Sequence, residues 1–262
     1  MGSATTQALA TSAQALAATQ GITVGVGGEL FAAARLIDSS VQLSGALVDP
    51  SVPAQARQDV VGKIFATVSE QAREALRVAA AQRWSRPSDL IDGIEELAIR
   101  AVAIGANDTD LEGELFAVSR TVAENPDLEL ALGSRIGNDE AKAQLAQSIF
   151  GAATSPATAL IVSSLVQHPR GRRVRQLLSR AIHIIATQRE HVIATVHTAV
   201  PLGDAQHKRL SEALHKRYGT NVSLNIVIDP SVVGGLRVQV ADDVIDGSIS
   251  ARLADLRQKL AG

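Results

Sequence analysis

Few residues of this 262-residue sequence have the type and spacing that chemistry requires. Its one glycine-rich stretch, 25–28, is not followed by the Lys-Ser/Thr pair of a phosphate-binding loop. We therefore interpret it as a bend or linker. Asp242-Asp243 and Asp246 suggest a calcium loop, but Val244 and Leu253 stand where that loop needs oxygen ligands. A turn between two short strands explains these acids better.

The histidines and arginines also fit a structural role better than a catalytic one. Histidines occur eight residues apart in two places, which is too far for two ligands of one metal ion. The one basic cluster has no interleaved aromatic residues to stack on bases, so it favours a solvated helix start or a docking site for an acidic partner. The residues of this cluster are His168, Arg170, Arg172, Arg173 and Arg175. We predict no catalytic residue, no metal and no cofactor.

Composition excludes several further classes. The net charge of -2 argues against a generally basic nucleic-acid-binding protein, and the absence of cysteine excludes disulfides and thiolate zinc sites. Only 2% of the residues are aromatic, so the core must consist of Ala, Leu, Val and Ile, as in closely packed helices. No stretch is apolar for long enough to span a membrane. The Met-Gly-Ser opening resembles an engineered start, and we expect the natural chain to begin further upstream.

The elements that must position any site include an internal repeat. The segment 29–65 aligns without a gap on 114–150, with 11 identities in 37 positions. All four phenylalanines fall in this alignment as two matched pairs. A chance match of such scarce residues is improbable, so the sequence predicts a duplicated helical unit.

Hydrophobic periodicity then changes along the chain. Helical spacing dominates up to about residue 190, and alternation typical of strands begins at Val192 and returns at Val222. The predicted fold class is mainly α, with two tandem helical bundles followed by a small α+β domain with a short mixed sheet. The predicted boundaries are 1–105 for the first helical unit, 106–190 for the second, which can share helix 89–105, and 191–262 for the C-terminal domain.

The C-terminal part carries a long motif. It runs from Ile228 to Leu236, continues from Val244 to Ser248 and ends at Arg252-Leu253. Together with the stretch from Asn125 to Phe150, it resembles the delta subunit family of ATP synthase, which includes the oligomycin-sensitivity-conferring protein. Its structural residues are Asp229, Pro230, Gly234, Gly235, Asp246, Gly247 and Ser248.

The resemblance implies a non-catalytic stator subunit. In this family the helical domain receives the N-terminal helix of an alpha subunit of the catalytic head, and the C-terminal domain joins the peripheral stalk. The duplicated helical unit further resembles the fused b–delta subunit of mycobacteria, in which a b-type membrane segment precedes two such units. The implied location is the cytoplasmic face of the cell membrane, with membrane contact only through the complex.

The expected partners are therefore alpha subunits and a b-type stalk subunit. For the groove that receives the alpha helix we predict two apolar stripes of the second copy: Ile94, Leu97, Ala98 and Ala101, and Leu178, Ile182 and Ile185. For the stalk contact we predict the last helix, through Leu253, Leu256 and Leu260. The alternative for both sets is packing inside the chain's own core. Two other functions stay open: an unrelated helical-repeat adaptor that binds amphipathic helices, and a nucleic-acid-binding module that uses the arginine cluster.

Overall fold

A computed structural model describes residues 2–134, 138–240, 243–247 and 249. The chain divides into two units, and the division falls between Ile185 and Ala186. The first unit is helical and the second contains the sheet, so the predicted fold class, mainly α with a small α+β part, is confirmed. The predicted boundary at 105/106 inside the helical part stays a prediction.

The helical part contains eleven helices within the described residues. The first copy of the repeat comprises α1 to α6, and the second comprises α6 to α11. Their bounds are α1 Ser3–Ala18, α2 Val24–Asp38, α3 Val41–Val48, α4 Ala54–Ile64, α5 Glu70–Ala81, α6 Pro87–Gly105, α7 Leu111–Glu124, α8 Pro126–Gly133, α9 Asp139–Phe150, α10 Pro156–Gln167 and α11 Val174–Gln188.

The repeat extends further in three dimensions than in the sequence alignment. Helices α2 to α5 follow one another in the same order as α7 to α10, and α6 corresponds to α11. At the same offset of about 85 residues, α1 corresponds to α6. Helix α6 is therefore both the last helix of the first copy and the first helix of the second. It packs against α1, α2 and α3, which precede it in the chain, and against α10, which follows it.

Short polar side chains determine where many helices begin. A side-chain oxygen at the residue before the helix accepts a hydrogen bond from a backbone N–H of the first turn, which would otherwise lack a partner. Helix α6 instead begins at Pro87, a residue that suits a first helical position because it has no N–H. The capping residues are Ser40, Ser69, Asp110, Asn138 and Ser155.

The glycine-rich stretch 25–28 lies inside α2 and does not form a linker. A Cβ atom on Gly27 would lie 2.3 Å from Cγ2 of Val102 and 2.8 Å from the carbonyl oxygen of Ala98. Glycine therefore serves here to bring α2 close to α6. Gly21, which comes before α2, has a φ of +73° and forms the turn.

In the residues that the structure describes, the second unit is a four-stranded sheet with one helix packed on it. The strand order is β2-β1-β3-β4, with β1 parallel to β2 and the other two pairs antiparallel. Helix α12 connects β1 to β2, and Leu214 of α12 packs with Val196 and Val238 in the core of this unit. The bounds are β1 Val192–Thr198, α12 Asp204–Tyr218, β2 Val222–Ile228, β3 Leu236–Val240 and β4 Asp243–Asp246.

Candidate partner-binding site

The two apolar stripes predicted to form the groove lie in the core of the helical unit. None of the seven side chains is more than 6% exposed, so in this conformation none of them lies on the surface of the helical unit. Their direct contact with a partner stays a prediction. The stripe of α6 is Ile94, Leu97, Ala98 and Ala101, and that of α11 is Leu178, Ile182 and Ile185.

The chain itself covers the predicted stripe of α6. Helix α2 crosses α6 at Gly27, close enough to contact the carbonyl oxygen of Ala98 and the side chain of Val102. Near the end of α6, a Cβ atom on Gly105 would lie 2.4 Å from the backbone nitrogen of Val24. Helix α6 is also the last helix of the first copy, and its packing on α2 covers Ala98 of the predicted stripe.

The equivalent stripe of the first copy is more open. At the 85-residue offset Leu9 corresponds to Ile94 and Ala13 corresponds to Ala98, and both α1 residues remain partly exposed. Leu16, which corresponds to Ala101, is buried. Helix α1 packs against α5 and α6. The repeat offset could have identified this stripe from the sequence, but only the structure shows which copy is open.

Helix α5, which packs against α1, also has accessible apolar side chains. Val78 and Ala81 are partly exposed, while Ala72, Ala75 and Ala79 of the same helix are buried. Small residues let two helices approach closely and leave a shallow apolar face. Such a face suits the apolar side of an amphipathic helix.

The arginine cluster is largely neutralised within the helical unit. Nη2 of Arg172 lies 2.8 Å from Oε2 of Glu95, and Nη2 of Arg170 lies 3.0 Å from the same oxygen. Both arginines also pair with Asp92. Three further contacts extend this network along α6: Arg180 with Asp92 and Glu96, and Arg100 with Glu96. These pairs connect the second copy to the helix that it shares with the first.

The same carboxylate contact recurs in both copies, which the sequence alignment did not indicate. Glu114 of α7 accepts hydrogen bonds from the backbone nitrogen and the hydroxyl of Ser155, at 3.0 and 2.7 Å. Glu29 of α2 accepts from the same two groups of Ser69. The two serines are 86 residues apart and the glutamates 85, so one inserted residue hides the match.

The environment of Glu114 lowers the pKa of its carboxyl group. Burial raises the pKa of this carboxyl, but hydrogen bonds from the Thr158 hydroxyl and from Ser155 lower it more, and the net pKa lies below the usual value. The ionised carboxylate is therefore the form that the fold stabilises.

A buried cationic side chain also occupies the same position in both copies of the repeat. The guanidinium of Arg57 donates to the carbonyl oxygens of Leu47, Ala81 and Gln82, and burial lowers the pKa of this group. Lys142, at the matching position, donates to the carbonyl oxygen of Ser134 at 3.2 Å. In each copy the cation reaches carbonyls near the end of a short helix, where helical backbone acceptors lack partners.

The C-terminal motif forms turns around the sheet. Gly234 and Gly235 have φ values of +64° and +78°, which favour glycine, as their place in the motif predicts. Oδ1 of Asp229 accepts from the backbone nitrogen and the hydroxyl of Ser231, and these bonds lower the pKa of Asp229. Gly247 donates its N–H to the carbonyl oxygen of Leu236 at 2.9 Å. Ser248 and the predicted stalk residues Leu253, Leu256 and Leu260 lie outside the described residues.

Other candidate sites in the described residues serve the fold. Oδ2 of Asp243 accepts a 2.6 Å hydrogen bond from the hydroxyl of Tyr218, which lowers the pKa of Asp243. His168 pairs with Asp38 through Nε2. Among the described residues, no group of three or more histidines and carboxylates is placed to hold a metal ion. In the same part of the chain, no helix has the length and apolar character needed to cross a bilayer.

Comparison with known proteins decides the family. The model of the ATP synthase delta (OSCP) subunit matches residues 97–260. The chain belongs to this family. It is 44% identical over 264 residues to ATP synthase subunit delta of Leifsonia xyli subsp. xyli, with 100% of both chains covered. The family is that of a non-catalytic component of the peripheral stalk of ATP synthase.

Two further relatives carry the same name. ATP synthase subunit delta of Kineococcus radiotolerans is 41% identical, covering 90% of this chain and 87% of the relative. That of Streptomyces avermitilis is 39% identical, covering 89% and 87%. The resemblance drawn from the C-terminal motif is thus confirmed, and it extends through the duplicated helices.

Proposed function

We propose that this chain links the catalytic head of a proton-translocating ATP synthase to its peripheral stalk, so that rotation of the rotor drives ATP synthesis instead of turning the head. Membership in the delta family supports this function. Its place is then the cytoplasmic face of the cell membrane, held there through the other subunits. The partners are alpha subunits on one side and a b-type stalk subunit on the other.

A subunit with this task must bear load without changing shape. The shared helix α6 meets this requirement because both copies pack on it, and three arginines of the second copy bind its carboxylates. Glu95 and Glu96 are 5% and 7% exposed, so solvent screens these pairs less than it screens surface pairs.

We further propose that the N-terminal helix of an alpha subunit binds to the first copy, along α1 and α5. The observation that carries this assignment is the unequal exposure of two equivalent stripes: α2 covers Ala98 on α6, whereas Leu9 and Ala13 on α1 remain partly open. Binding through the predicted stripe of α6 would require α2 to leave its place. The last helix, through Leu253, Leu256 and Leu260, stays the proposed stalk contact.

Calorimetry with synthetic peptides tests the head contact. The probes are peptides of the N-terminal residues of the alpha subunits of the same organism, titrated into the full chain. Leu9→Asp places a charge in the proposed apolar contact and should weaken binding at least about tenfold, since an unpaired charge in an apolar interface costs more than 1.4 kcal/mol.

Leu145→Asp is the matched control, because Leu145 is an exposed leucine of the second copy, on α9. It should leave the affinity unchanged. Absence of binding by the intact chain would overturn the head contact. Equal losses in the two variants would overturn its assignment to α1, and circular dichroism of both would show that the helices remain folded.

The two rival functions make different predictions. An adaptor for other helices would bind unrelated amphipathic peptides as tightly as the alpha peptides. A nucleic-acid-binding module would bind an oligonucleotide with an affinity that falls steeply with added salt. The pairing of Arg170, Arg172 and Arg180 with carboxylates argues against this second function, since these cations are already neutralised.

A further inference from the structure

A histidine–aspartate contact joins the two copies of the repeat without passing through the shared helix α6. Nε2 of His168, the residue that caps the end of α10, lies 2.5 Å from Oδ2 of Asp38, the last residue of α2. Asp38 belongs to the first copy and His168 to the second, 130 positions further along the chain. This contact therefore ties one copy directly to the other.

The repeated unit does not contain an equivalent of this contact. Gln82 caps the end of α5 as His168 caps the end of α10. At the offset of 85 residues that aligns α2 with α7, Asp38 corresponds to Ala123. Neither Gln82 nor Ala123 can carry a charge. The histidine–aspartate contact is thus a feature of the place where the two copies meet.

The loop that carries His168 is held in place by ion pairs with α6. Arg170 and Arg172 each pair with Asp92 and Glu95. Arg170 has a φ of +47°, a conformation that a residue other than glycine keeps only when its surroundings hold it there. The imidazole is therefore already positioned beside its carboxylate partner, and little further conformational freedom is lost when the contact forms.

Protonation changes the strength of this contact. Histidine is the side chain that ordinarily changes charge between about pH 5 and pH 8. Since a carboxylate only accepts hydrogen bonds, the neutral imidazole of His168 must donate from Nε2 to Asp38, and the imidazolium forms the same bond with a full positive charge. The two side chains are 28% and 29% exposed, so protons reach the imidazole while solvent screens the pair less than a fully exposed one.

The other described charged groups near His168 have partners of their own. Asp139 of α9 and Arg170 line a cavity of about 390 Å3 beside His168. Oδ1 of Asp139 lies 2.7 Å from Nζ of Lys142, and Arg170 pairs with carboxylates of α6. The charge of Arg35, one turn before the end of α2, also interacts with a carboxylate of α6. Asp38 is therefore the carboxylate that gains most from a charged imidazole.

We propose that His168 and Asp38 form a pH-sensitive fastening between the two copies, which is firmer in mildly acidic than in mildly alkaline solution because the protonated imidazole binds the carboxylate more strongly. This property belongs to the chain alone and does not depend on the proposed function. In a stator subunit it would stiffen the connection between the copies when the surrounding solution becomes acidic.

A double-mutant cycle measured at about pH 5.5 and at about pH 8 tests the proposal. Asp38→Asn and His168→Gln keep hydrogen-bonding groups but remove the charges. The full chain and the single and double variants are unfolded with urea, followed by the fluorescence of Trp84. We expect the two substitutions to be coupled by a factor of at least about five in the unfolding equilibrium constant at the lower pH, and of at most about two at the higher pH.

Asp139→Asn provides the matched control. Asp139 lines the cavity beside His168, but its side chain is 57% exposed and pairs with Lys142. Its coupling to His168→Gln should stay below about twofold at both pH values. Added salt should reduce the coupling of His168 to Asp38 at the lower pH, as for a pair of charges that solvent partly reaches.

Hydrogen exchange measures the fastening locally and does not require reversible unfolding. The amides of residues 170–173 follow His168 in the loop. Asp38→Asn should raise their exchange rate at least about fivefold over the parent chain at the lower pH, and less than about twofold at the higher pH. Because each variant is compared with the parent at the same pH, the intrinsic dependence of exchange on pH cancels.

Three results would overturn the proposal. Coupling that is equal at the two pH values, or absent from both, means that protonation of His168 does not strengthen the contact. Coupling of His168 to Asp139 as strong as to Asp38 means that another carboxylate receives the imidazole. Loop exchange that Asp38→Asn leaves unchanged at the lower pH means that the contact does not hold the loop. None of these results bears on the proposed function, which the peptide titration tests separately.

Discussion

Gly27 shows at the scale of one residue how closely α2 packs on the shared helix α6. A methyl group there would meet Val102 at 2.3 Å and the carbonyl oxygen of Ala98 at 2.8 Å, so α2 or α6 would have to move. We expect Gly27→Ala to lower the free energy of unfolding by about 1–3 kcal/mol despite the better helix propensity of alanine. Urea denaturation followed by circular dichroism measures this loss.

Gly45 provides the control for this substitution. It lies in α3, and a Cβ atom there would meet nothing within 4 Å. Gly45→Ala should therefore raise the free energy of unfolding by about 0.5–1 kcal/mol, because alanine restricts the unfolded chain. A Gly27→Ala variant as stable as the Gly45→Ala variant would contradict the close approach of α2 and α6.

Glu114 makes stability depend on pH. Its pKa in the folded chain lies below the unfolded value, so the ionised carboxylate contributes stability above the unfolded pKa, and this contribution is lost as the pH falls through the folded pKa. Glu114→Gln should therefore lower the urea midpoint at about pH 7 but have less effect at about pH 3. Glu140→Gln, at an exposed position of α9, is the control. An effect of Glu114→Gln that is independent of pH would contradict this role.

Single residues also show what the sequence could predict. The pairs Leu30 and Leu115, and Phe65 and Phe150, align in the repeat, and all four side chains are buried. The glycines of α2 misled the prediction because glycine disfavours helices when taken alone, and only the packing against α6 reveals its use. The hydrogen bond from the backbone nitrogen of Ser69 to Glu29 could not be predicted from the sequence either, because the two residues are 40 positions apart.

At the scale of elements, carboxylates of the shared helix α6 form ion pairs with arginines of the second copy. Glu95 receives both Arg170 and Arg172, and it is nearly inaccessible to solvent. Glu95→Ala leaves two partly buried guanidinium groups without this partner, and we expect a loss of about 2–3 kcal/mol in the free energy of unfolding. Urea denaturation at low and moderate salt provides the measurement.

An exposed pair provides the comparison. Glu124 pairs with Arg120 on α7, and 65% of the Glu124 side chain is exposed. Glu124→Ala should change the free energy of unfolding by less than about 0.5 kcal/mol. Equal effects of Glu95→Ala and Glu124→Ala would mean that the network on α6 contributes no more than a surface ion pair.

Periodicity predicted the longer elements well, because their apolar stripes are regular. The predicted change from helical to alternating periodicity agrees with the end of α11 at Gln188 and the start of β1 at Val192, and the alternation predicted from Val222 agrees with the start of β2. The eight-residue helices α3 and α8 were missed, since two turns are too short to establish a period. Burial of the predicted groove could not be read from α6, because an apolar stripe looks the same whether it faces a partner or the chain's own α2.

At the scale of the whole molecule, we expect the shared helix to make the two copies of the repeat unfold as one cooperative unit. Removing core volume from one copy should then destabilise both. Leu115 of α7, in the second copy, is fully buried, and Leu115→Ala should cost about 2–5 kcal/mol. The only tryptophan, Trp84, lies buried in the first copy, where its Nε1 donates to the carbonyl oxygen of Ala79.

Trp84 therefore reports on the copy that Leu115→Ala does not touch. If α6 couples the copies, the urea midpoint of Trp84 fluorescence should fall together with that of the helical circular dichroism. If instead the boundary at 105/106 separates independent domains, the Trp84 midpoint should not move and the circular dichroism should split into two steps. The only tyrosine, Tyr218, lies in the sheet-containing unit, and fluorine NMR of a fluorotyrosine-labelled chain follows that unit separately. Its midpoint should stay unchanged, because Leu115 lies in the helical unit and the sheet has its own core.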